Sequence, residues 1–191
     1  MNTKYNQRFI ETENRILNVT EKLVATLGVP NTSVSEICRQ AGINRKSFYL
    51  HYPDVESVLI KIESIKGQWI QEQLFAQEVT DLKTMLSRLF ELFEKHKAFY
   101  RPYLCNRCPQ LFLIPVIEEI WISKNGCLLP KCKYYEETDR SYHELFFKSG
   151  FTAILTHWME RDCAEPADLL ADVVISCNSR TFFYLEILSN F

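Results

Sequence analysis

A short stretch of the chain concentrates side chains that can hydrogen bond to nucleic acid. Arg45, Lys46 and Ser47 follow one another directly, and Tyr49 and His51 lie close behind them. An arginine can pair with O6 and N7 of guanine, whereas the other four types can bind phosphate oxygens. On an isolated short helix, such residues usually form only the solvent-exposed side of the helix and bind nothing. Here their combination predicts a surface that contacts double-stranded DNA.

Cysteines supply a second candidate site. Cys105 and Cys108 form a C-x-x-C pair, and Cys127 and Cys132 form a second pair with four residues between them. Such pairs can bind zinc or act as a thiol switch. A helix over 111–122, however, would be about 18 Å long and would hold the two pairs apart. We therefore expect free thiols, with no metal or other cofactor, and keep a thiol- or metal-responsive regulator as an alternative.

Helix-start signals indicate which elements hold the candidate DNA-contacting residues. Ser33 and Glu36 have the spacing of a capping box, in which the hydroxyl accepts a backbone N–H and the carboxylate reaches back. Asn44 can cap the next helix in the same way, and Gly42 allows a tight turn before it. Two short helices joined by such a turn have the helix-turn-helix form. The predicted early helices cover 8–27, 34–41, 45–51 and 54–77.

The third helix is expected to have two different faces. Phe48 and Tyr52 are four residues apart and share one side, while Arg45 and Tyr49 share another. We expect the first pair to anchor the helix to its domain and the second pair to face outward, as a DNA-reading helix requires.

The rest of the chain also has helical periodicity and no convincing strand, which predicts an all-α fold. An apolar stripe covers 82–93, a broken stretch runs from Pro102 to Pro109, and an apolar segment covers 111–122. A long amphipathic segment covers 142–159, and Pro166 opens a last helix that ends near Leu188. The residues expected to face inward on 142–159 are Leu145, Phe146, Ile154, Leu155 and Trp158.

Composition excludes several classes of protein. The chain has 191 residues and a net charge of −2, so it cannot coat nucleic acid by bulk charge. Residues 31–53 nevertheless carry three basic side chains and one acidic one, a local charge of +2.

No apolar run is long enough to span a membrane, and the N-terminus does not resemble a secretory signal. With seven cysteines and no export signal, we expect a cytoplasmic protein with reduced thiols. No Gly-rich phosphate loop or His-x-x-x-His pair is present, so an enzyme is not expected.

The run TSVSEICRQAGINRKSFYLHY, residues 32–52, resembles the DNA-binding signature of the TetR family of transcriptional regulators. The resemblance covers roughly residues 10–60. It departs at Val55, where the family usually has Lys, and at Cys38 and Thr20, where Ala is usual. The segment 147–160 resembles the C-terminal region of some members from Gram-positive bacteria. The resemblance implies a helix-turn-helix domain over 1–53 and a helical regulatory and dimerisation domain over 54–191.

The family resemblance also implies roles for individual residues. Thr32 and the backbone after Ser33 would touch phosphate, Arg45, Lys46 and Ser47 would face bases, and Tyr49 and His51 would bind phosphates. The full expected DNA-contacting set is Thr32, Ser33, Asn44, Arg45, Lys46, Ser47, Tyr49 and His51.

The regulatory domain is expected to form a homodimer through its last two helices and to respond to a small apolar or aromatic effector. The last helix carries more apolar surface than one domain normally covers, which favours self-association. Binding of a palindromic operator as a repressor follows from the same resemblance. A protein-interaction module that has lost DNA binding is a further alternative, suggested by Val55.

Aromatic residues at helical spacing are usually core, but the candidates for an effector pocket are Phe90, Phe93, Phe99, Tyr100, Tyr103, Phe112, Trp121 and Tyr142.

Overall fold

A computed structural model of the chain describes residues 3–76, 81–105 and 137–188. Those parts contain α-helices and no strand, which confirms the all-α prediction. The helices are α1 (Thr3–Leu27), α2 (Val34–Ala41), α3 (Arg45–Tyr49), α4 (Val55–Phe75), α5 (Leu82–Lys95), α6 (Lys97–Leu104), α7 (Glu137–Glu160) and α8 (Ala167–Leu188). In these parts, no helix is both long and apolar enough to span a membrane.

The first three helices enclose a small apolar core. Ile16, Leu23 and Val24 of α1 meet Ile37 of α2 and Phe48 of α3, and all five are fully or almost fully buried. Thr20, which stands where the family usually has Ala, is also buried, and its hydroxyl donates to the Ile16 carbonyl at 2.8 Å. The extra polar atom therefore has a partner inside α1, and the departure does not disturb the core.

The second part of the fold is built on α4 to α8. α5 packs along α8, and α6 packs on α1, so the later helices directly contact the first helix of the chain. Trp158 of α7 is buried, and its indole N–H donates to the Glu165 carbonyl at 2.8 Å. This bond ties the end of α7 to the connection that leads into α8.

Two expectations about the later helices were wrong, one of them only in part. The predicted break does not begin at Pro102, because α6 continues through it to Leu104, and Cys105 N–H still donates to the Arg101 carbonyl at 3.1 Å. The rest of the predicted broken stretch, 106–109, lies outside the described residues. Leu145 and Phe146 do not face inward, since they are 62% and 63% exposed. The apolar stripe on α7 changes sides along the helix, so its N-terminal part is uncovered in the single chain while its C-terminal part lies in the core.

Candidate nucleic-acid interface

The turn between α2 and α3 depends on a left-handed residue and a side-chain cap. Gly42 ends α2 with φ 64° and ψ 37°, a conformation that a residue with a Cβ adopts only with strain. Asn44 Oδ1 then accepts from the Ser47 N–H at 2.8 Å and starts α3. The predicted turn and cap are both confirmed. A helix of only five residues is too short to be stable alone, so the cap and the buried face must hold it.

The two faces of α3 are divided as predicted. Phe48 is fully buried, and Tyr52 just after the helix is nearly so, with its hydroxyl donating to Glu13 Oε1 of α1 at 2.9 Å. On the other side Arg45 is exposed and Tyr49 is 55% exposed. The helix is thus attached to α1 and α2 by one face and presents the other face to solvent.

The positive charge of this surface is concentrated at the start of α3. Arg39 of α2 is paired with Glu36, whose pKa is lowered to about 2, mainly by its hydrogen bond with Arg39 and then by that with Gln40. Arg45 and Lys46 are both exposed, and Arg45 Nη2 donates to Ser35 Oγ. That bond uses one of five guanidinium donors and leaves the others for a ligand. Because Arg39 and Glu36 neutralise each other, the local charge of +2 resides on the two adjacent residues Arg45 and Lys46.

The entrance to α2 differs in part from the expected capping box. Ser33 Oγ accepts from the Glu36 N–H at 3.3 Å, as predicted, but the Glu36 carboxylate turns to Arg39 and Gln40 instead of reaching back. Thr32 is buried, and its hydroxyl donates to the Gly28 carbonyl at 3.0 Å. Its hydroxyl proton is therefore already used within the protein, whereas Ser33 is exposed.

His51 lies at the far end of this surface, packed against α1. Its ring packs on Phe9 with centroids 3.9 Å apart, and Nδ1 is buried without a hydrogen-bond partner among the described residues. Burial lowers the pKa of His51 below its ordinary value, and Glu13 opposes the shift. The imidazole is consequently neutral at physiological pH in the free protein. The contact between Phe9 and His51 was not predicted from the sequence, because the two residues lie far apart in the chain.

Val55 begins α4 directly behind this surface. The helix is capped by Asp54, whose Oδ1 accepts from the Ser57 N–H at 2.7 Å. Val55 is half-buried and packs against the core. At the position where the family usually has a lysine, this chain thus has an apolar contact and no cation for phosphate.

The residues expected to line an effector pocket do not all lie together in the structure. Five lie in a tightly packed cluster, in which the rings of Phe93 and Tyr100 are 4.8 Å apart and those of Phe99 and Tyr103 are 5.2 Å apart. Tyr142 is exposed, and Phe112 and Trp121 lie outside the described residues. The buried set is Phe90, Phe93, Phe99, Tyr100 and Tyr103.

Of the predicted cysteine site, only Cys105 lies within the described residues. Cys105 is exposed and unpaired by disulfide, while Cys108, Cys127 and Cys132 lie outside the described residues. Partial burial, together with Glu160, raises the pKa of the Cys105 thiol above its usual range. The thiol form therefore predominates there at neutral pH. The described parts of the chain contain no group of three or more potential metal ligands.

Comparison with known proteins agrees with this architecture. Residues 16–62 match the family model "Bacterial regulatory proteins, tetR family", and residues 80–177 match "Transcriptional regulator C-terminal region". The chain is similar to the uncharacterized HTH-type transcriptional regulator YerO of Bacillus subtilis, with 30% identity over 97 residues. That match covers 47% of this chain and 34% of the relative, so the chain spans about a third of the relative's length.

Solved structures of low sequence identity share the fold. A TetR transcriptional regulator from Streptococcus agalactiae superimposes with a TM-score of 0.71 and 18% identity, over 93% of this chain and 99% of that one. FadR of Thermus thermophilus, described as a transcriptional repressor in complex with lauroyl-CoA, gives 0.58 and 17%, over 87% and 92%. The dihydroxyacetone kinase operon activator DhaS gives 0.52 and 16%, over 89% and 95%. With its N-terminal helix-turn-helix unit and the two family models that together cover most of its length, the chain belongs to the TetR family of bacterial transcriptional regulators.

Proposed function

We propose that this protein is a homodimeric repressor that binds a palindromic DNA operator and releases it in response to a small ligand. One observation carries the proposal. Arg45, Lys46 and Tyr49 lie exposed on a helix whose other face is buried through Phe48 and Tyr52. Exposed cations on a rigidly anchored short helix are what base and phosphate contacts in the major groove require.

The chemistry of α3 supports different roles for its residues. Arg45 at its first position can form two parallel hydrogen bonds to guanine O6 and N7 and so recognise a base. Lys46 and the hydroxyls of Ser47 and Tyr49 bind phosphate oxygens or nearby bases and fix the position of the helix. Burial lowers the pKa of His51 in the free protein, and its imidazole can contribute a hydrogen bond to a phosphate. The backbone beside Ser33 completes the set from α2.

A dimer is supported by the uncovered apolar surface of the last two helices. On α7 this surface comprises Tyr142, Leu145 and Phe146, and on α8 it includes Leu169 and Val173, all of them exposed in the single chain. An exposed apolar patch of this kind favours association. A two-fold dimer would present two copies of α3 to a palindrome, one in each half-site. We expect Phe146→Glu to yield a monomer in analytical ultracentrifugation and to weaken operator binding.

The effector is proposed to be a molecule with a substantial apolar part. The proposal rests on the aromatic character of the core that α5 and α6 contribute and on the lauroyl-CoA bound by the FadR structure of similar fold. Lauroyl-CoA is therefore a suitable first probe. A ligand that binds better to the DNA-free conformation lowers operator affinity by that difference in binding free energy. Because α6 contacts α1, a change in the regulatory helices would reach the DNA-reading unit directly.

A DNA-protection assay on the region upstream of the protein's own gene tests the proposal. We expect Arg45→Ala to relax the preference for one base pair by about 1–3 kcal/mol. Lys46→Ala should weaken binding to all sequences. It should also reduce the slope of log K against log salt concentration by about one, the equivalent of one released counterion. Arg161→Ala is the matched control, because Arg161 is an exposed arginine near the end of α7 that pairs with Glu165. Equal losses in Arg45→Ala and Arg161→Ala would refute the role of α3.

A promoter–reporter fusion decides the sign of regulation. Deletion of the gene is expected to raise expression from the operator, whereas an activator would lower it. We expect this action to take place in the cytoplasm, where bacterial DNA is found.

A further inference from the structure

A surface groove joins the two parts of the fold at a place that DNA recognition does not use. It has a volume of about 460 Å³ and lies between the C-terminal part of α1, one face of α6 and the connection from α7 to α8. Ala25, Ala98, Pro102 and Cys105 provide an apolar lining. A concave site with mostly apolar walls and a few polar groups is the usual form of a small-molecule site.

The polar groups of the groove are two cations and one carboxylate. Lys97 and Arg101 lie one turn apart on α6, and both meet Asp162 Oδ1, at 3.2 Å and 3.3 Å. The sum of these three side-chain charges is +1. Lys97 and Arg101 also donate to the carbonyls of Asp162 and Glu160, at 3.4 Å and 3.3 Å, and each keeps further N–H donors for a ligand. Both distances exceed the 2.7–2.9 Å that is typical of strong charge-assisted hydrogen bonds. All three side chains are also well exposed to water, so their mutual attraction is weak.

Asp162 occupies a special backbone position. Its N–H donates to the Met159 carbonyl, and the next N–H, of Cys163, donates to the Trp158 carbonyl, which is the hydrogen-bond pattern of a Schellman cap at the end of α7. Its φ is 59°, in the left-handed region where Gly or Asn is usual. The cap consists of backbone bonds, so it does not need the Asp162 carboxylate. That carboxylate can therefore leave the two cations without unfolding the end of α7.

We propose that this groove binds a small organic anion, a carboxylate or a phosphate monoester with a short apolar chain. Lys97 and Arg101 bind its acidic group in the place now taken by the Asp162 carboxylate, with the planar guanidinium forming paired hydrogen bonds. The apolar chain of the ligand lies against Ala25, Ala98 and the other apolar residues. The bound molecule would contact α1 and α6 together. Any effect on the operator rests on the proposed function, whereas binding itself does not.

Titration calorimetry on the full-length protein tests binding with four probes that share one alkyl chain. Hexanoate and hexyl phosphate carry the anionic groups, while hexanol and hexylammonium are the neutral and cationic controls. We expect binding of one or both anions and none of the controls. The tighter of the two anions identifies the natural acid group as a carboxylate or a phosphate. Equal binding of hexanol and hexanoate would overturn the proposal, because the cations would then play no part, and so would the absence of binding by both anions.

Two variants with opposite expected effects separate binding from a merely structural role of the cluster. Arg101→Gln should weaken anion binding about tenfold or more, since hydrogen bonds to charged groups contribute most of the head-group affinity. Asp162→Asn should strengthen it by about two- to fivefold, because it removes the competing carboxylate. Asn tolerates the left-handed backbone, so the cap is kept. If Asp162→Asn weakens binding as Arg101→Gln does, the cluster only maintains the fold and the proposal fails.

Matched controls use an ion pair outside the groove. Lys83 and Asp172 form a similarly exposed pair at 2.8 Å between α5 and α8. Lys83→Gln and Asp172→Asn should leave anion affinity unchanged, and thermal melting of all variants verifies that they are folded. Arg45→Ala should also leave anion affinity unchanged, even where it abolishes operator recognition. Failure of DNA binding and failure of the groove are therefore observed in different assays.

Discussion

The ion pair between Lys66 and Glu21 links the helix-turn-helix unit to the later helices, and its removal should have a defined cost. Lys66 Nζ of α4 lies 2.7 Å from Glu21 Oε1 of α1. The same ammonium is 4.5 Å from the centre of the Phe99 ring of α6. The side chains of Lys66 and Glu21 are 17% and 40% exposed. Three helices therefore meet at one partly buried cation.

The magnitude follows from this geometry. At an effective dielectric constant of about 20, unit charges 2.7 Å apart attract by about 6 kcal/mol. Loss of hydration and of side-chain freedom offsets most of this energy, leaving a net coupling of about 1 kcal/mol. The contact with the Phe99 ring adds about 0.5–1 kcal/mol. We therefore expect Lys66→Met, which retains the apolar stem, to lower the free energy of unfolding by about 1.5–2 kcal/mol and Tm by about 5 °C.

A double-mutant cycle isolates the pair. Lys66→Met, Glu21→Gln and the double variant are compared by thermal unfolding at constant protein concentration, because dimerisation would make Tm depend on it. The pair of Lys83 and Asp172 provides a control of almost equal length, 2.8 Å, with side chains 49% and 54% exposed. Since solvent and salt screen exposed charges more strongly, its coupling should be smaller and should disappear first as salt is added. Equal coupling energies for the two pairs would refute the reasoning from burial.

Three further predictions concern the DNA-reading unit. Phe48→Ala should lower the free energy of unfolding by about 3–5 kcal/mol in calorimetry because the ring is fully buried, while Tyr49→Ala, at an exposed position, should leave Tm nearly unchanged. Asn44→Ala removes the acceptor 2.8 Å from the Ser47 N–H and should cost about 1 kcal/mol in thermal unfolding, with Asn44→Asp as the cap-preserving control. Because burial lowers the pKa of His51 in the folded state, the unfolded chain takes up a proton first as pH falls below about 6.5. Stability is then lost on acidification, and His51→Gln should reduce the difference between Tm at pH 7.5 and pH 5.5; an unchanged difference would contradict the buried position of the ring.

Local signals predicted the elements that carry the candidate interface. The turn glycine and the caps by Ser33 and Asn44 act within a few residues, so the sequence pattern is enough to place α2 and α3. The two faces of α3 were also correct, because residues four apart must lie on the same side of a helix. The capping box was only half right, since Arg39 and Gln40 compete for Glu36 and their side-chain positions cannot be deduced from the box pattern alone.

Errors arose where distant segments decide the environment. The spacing on α7 does not reveal that Leu145 and Phe146 are left exposed. Pro102 is the sixth of the eight residues of α6, and its missing N–H costs this short helix only one hydrogen bond. A proline is expected to end a longer helix, which made the break a reasonable but wrong prediction.

By itself the sequence determined a helical protein with a capped helix-turn-helix, a local charge of +2 and an exposed row of DNA-competent side chains. Those properties depend on helical period and neighbouring residues. Only the tertiary structure decided which charges are available, because Glu36 pairs with Arg39 and leaves Arg45 and Lys46 exposed. It also decided that His51 is neutral. In the folded protein Lys97, Arg101 and Asp162 share one groove, although Arg101 and Asp162 are 61 residues apart in the chain. Burial and electrostatic contact are properties of packed surfaces, and packing brings together residues that the chain keeps far apart.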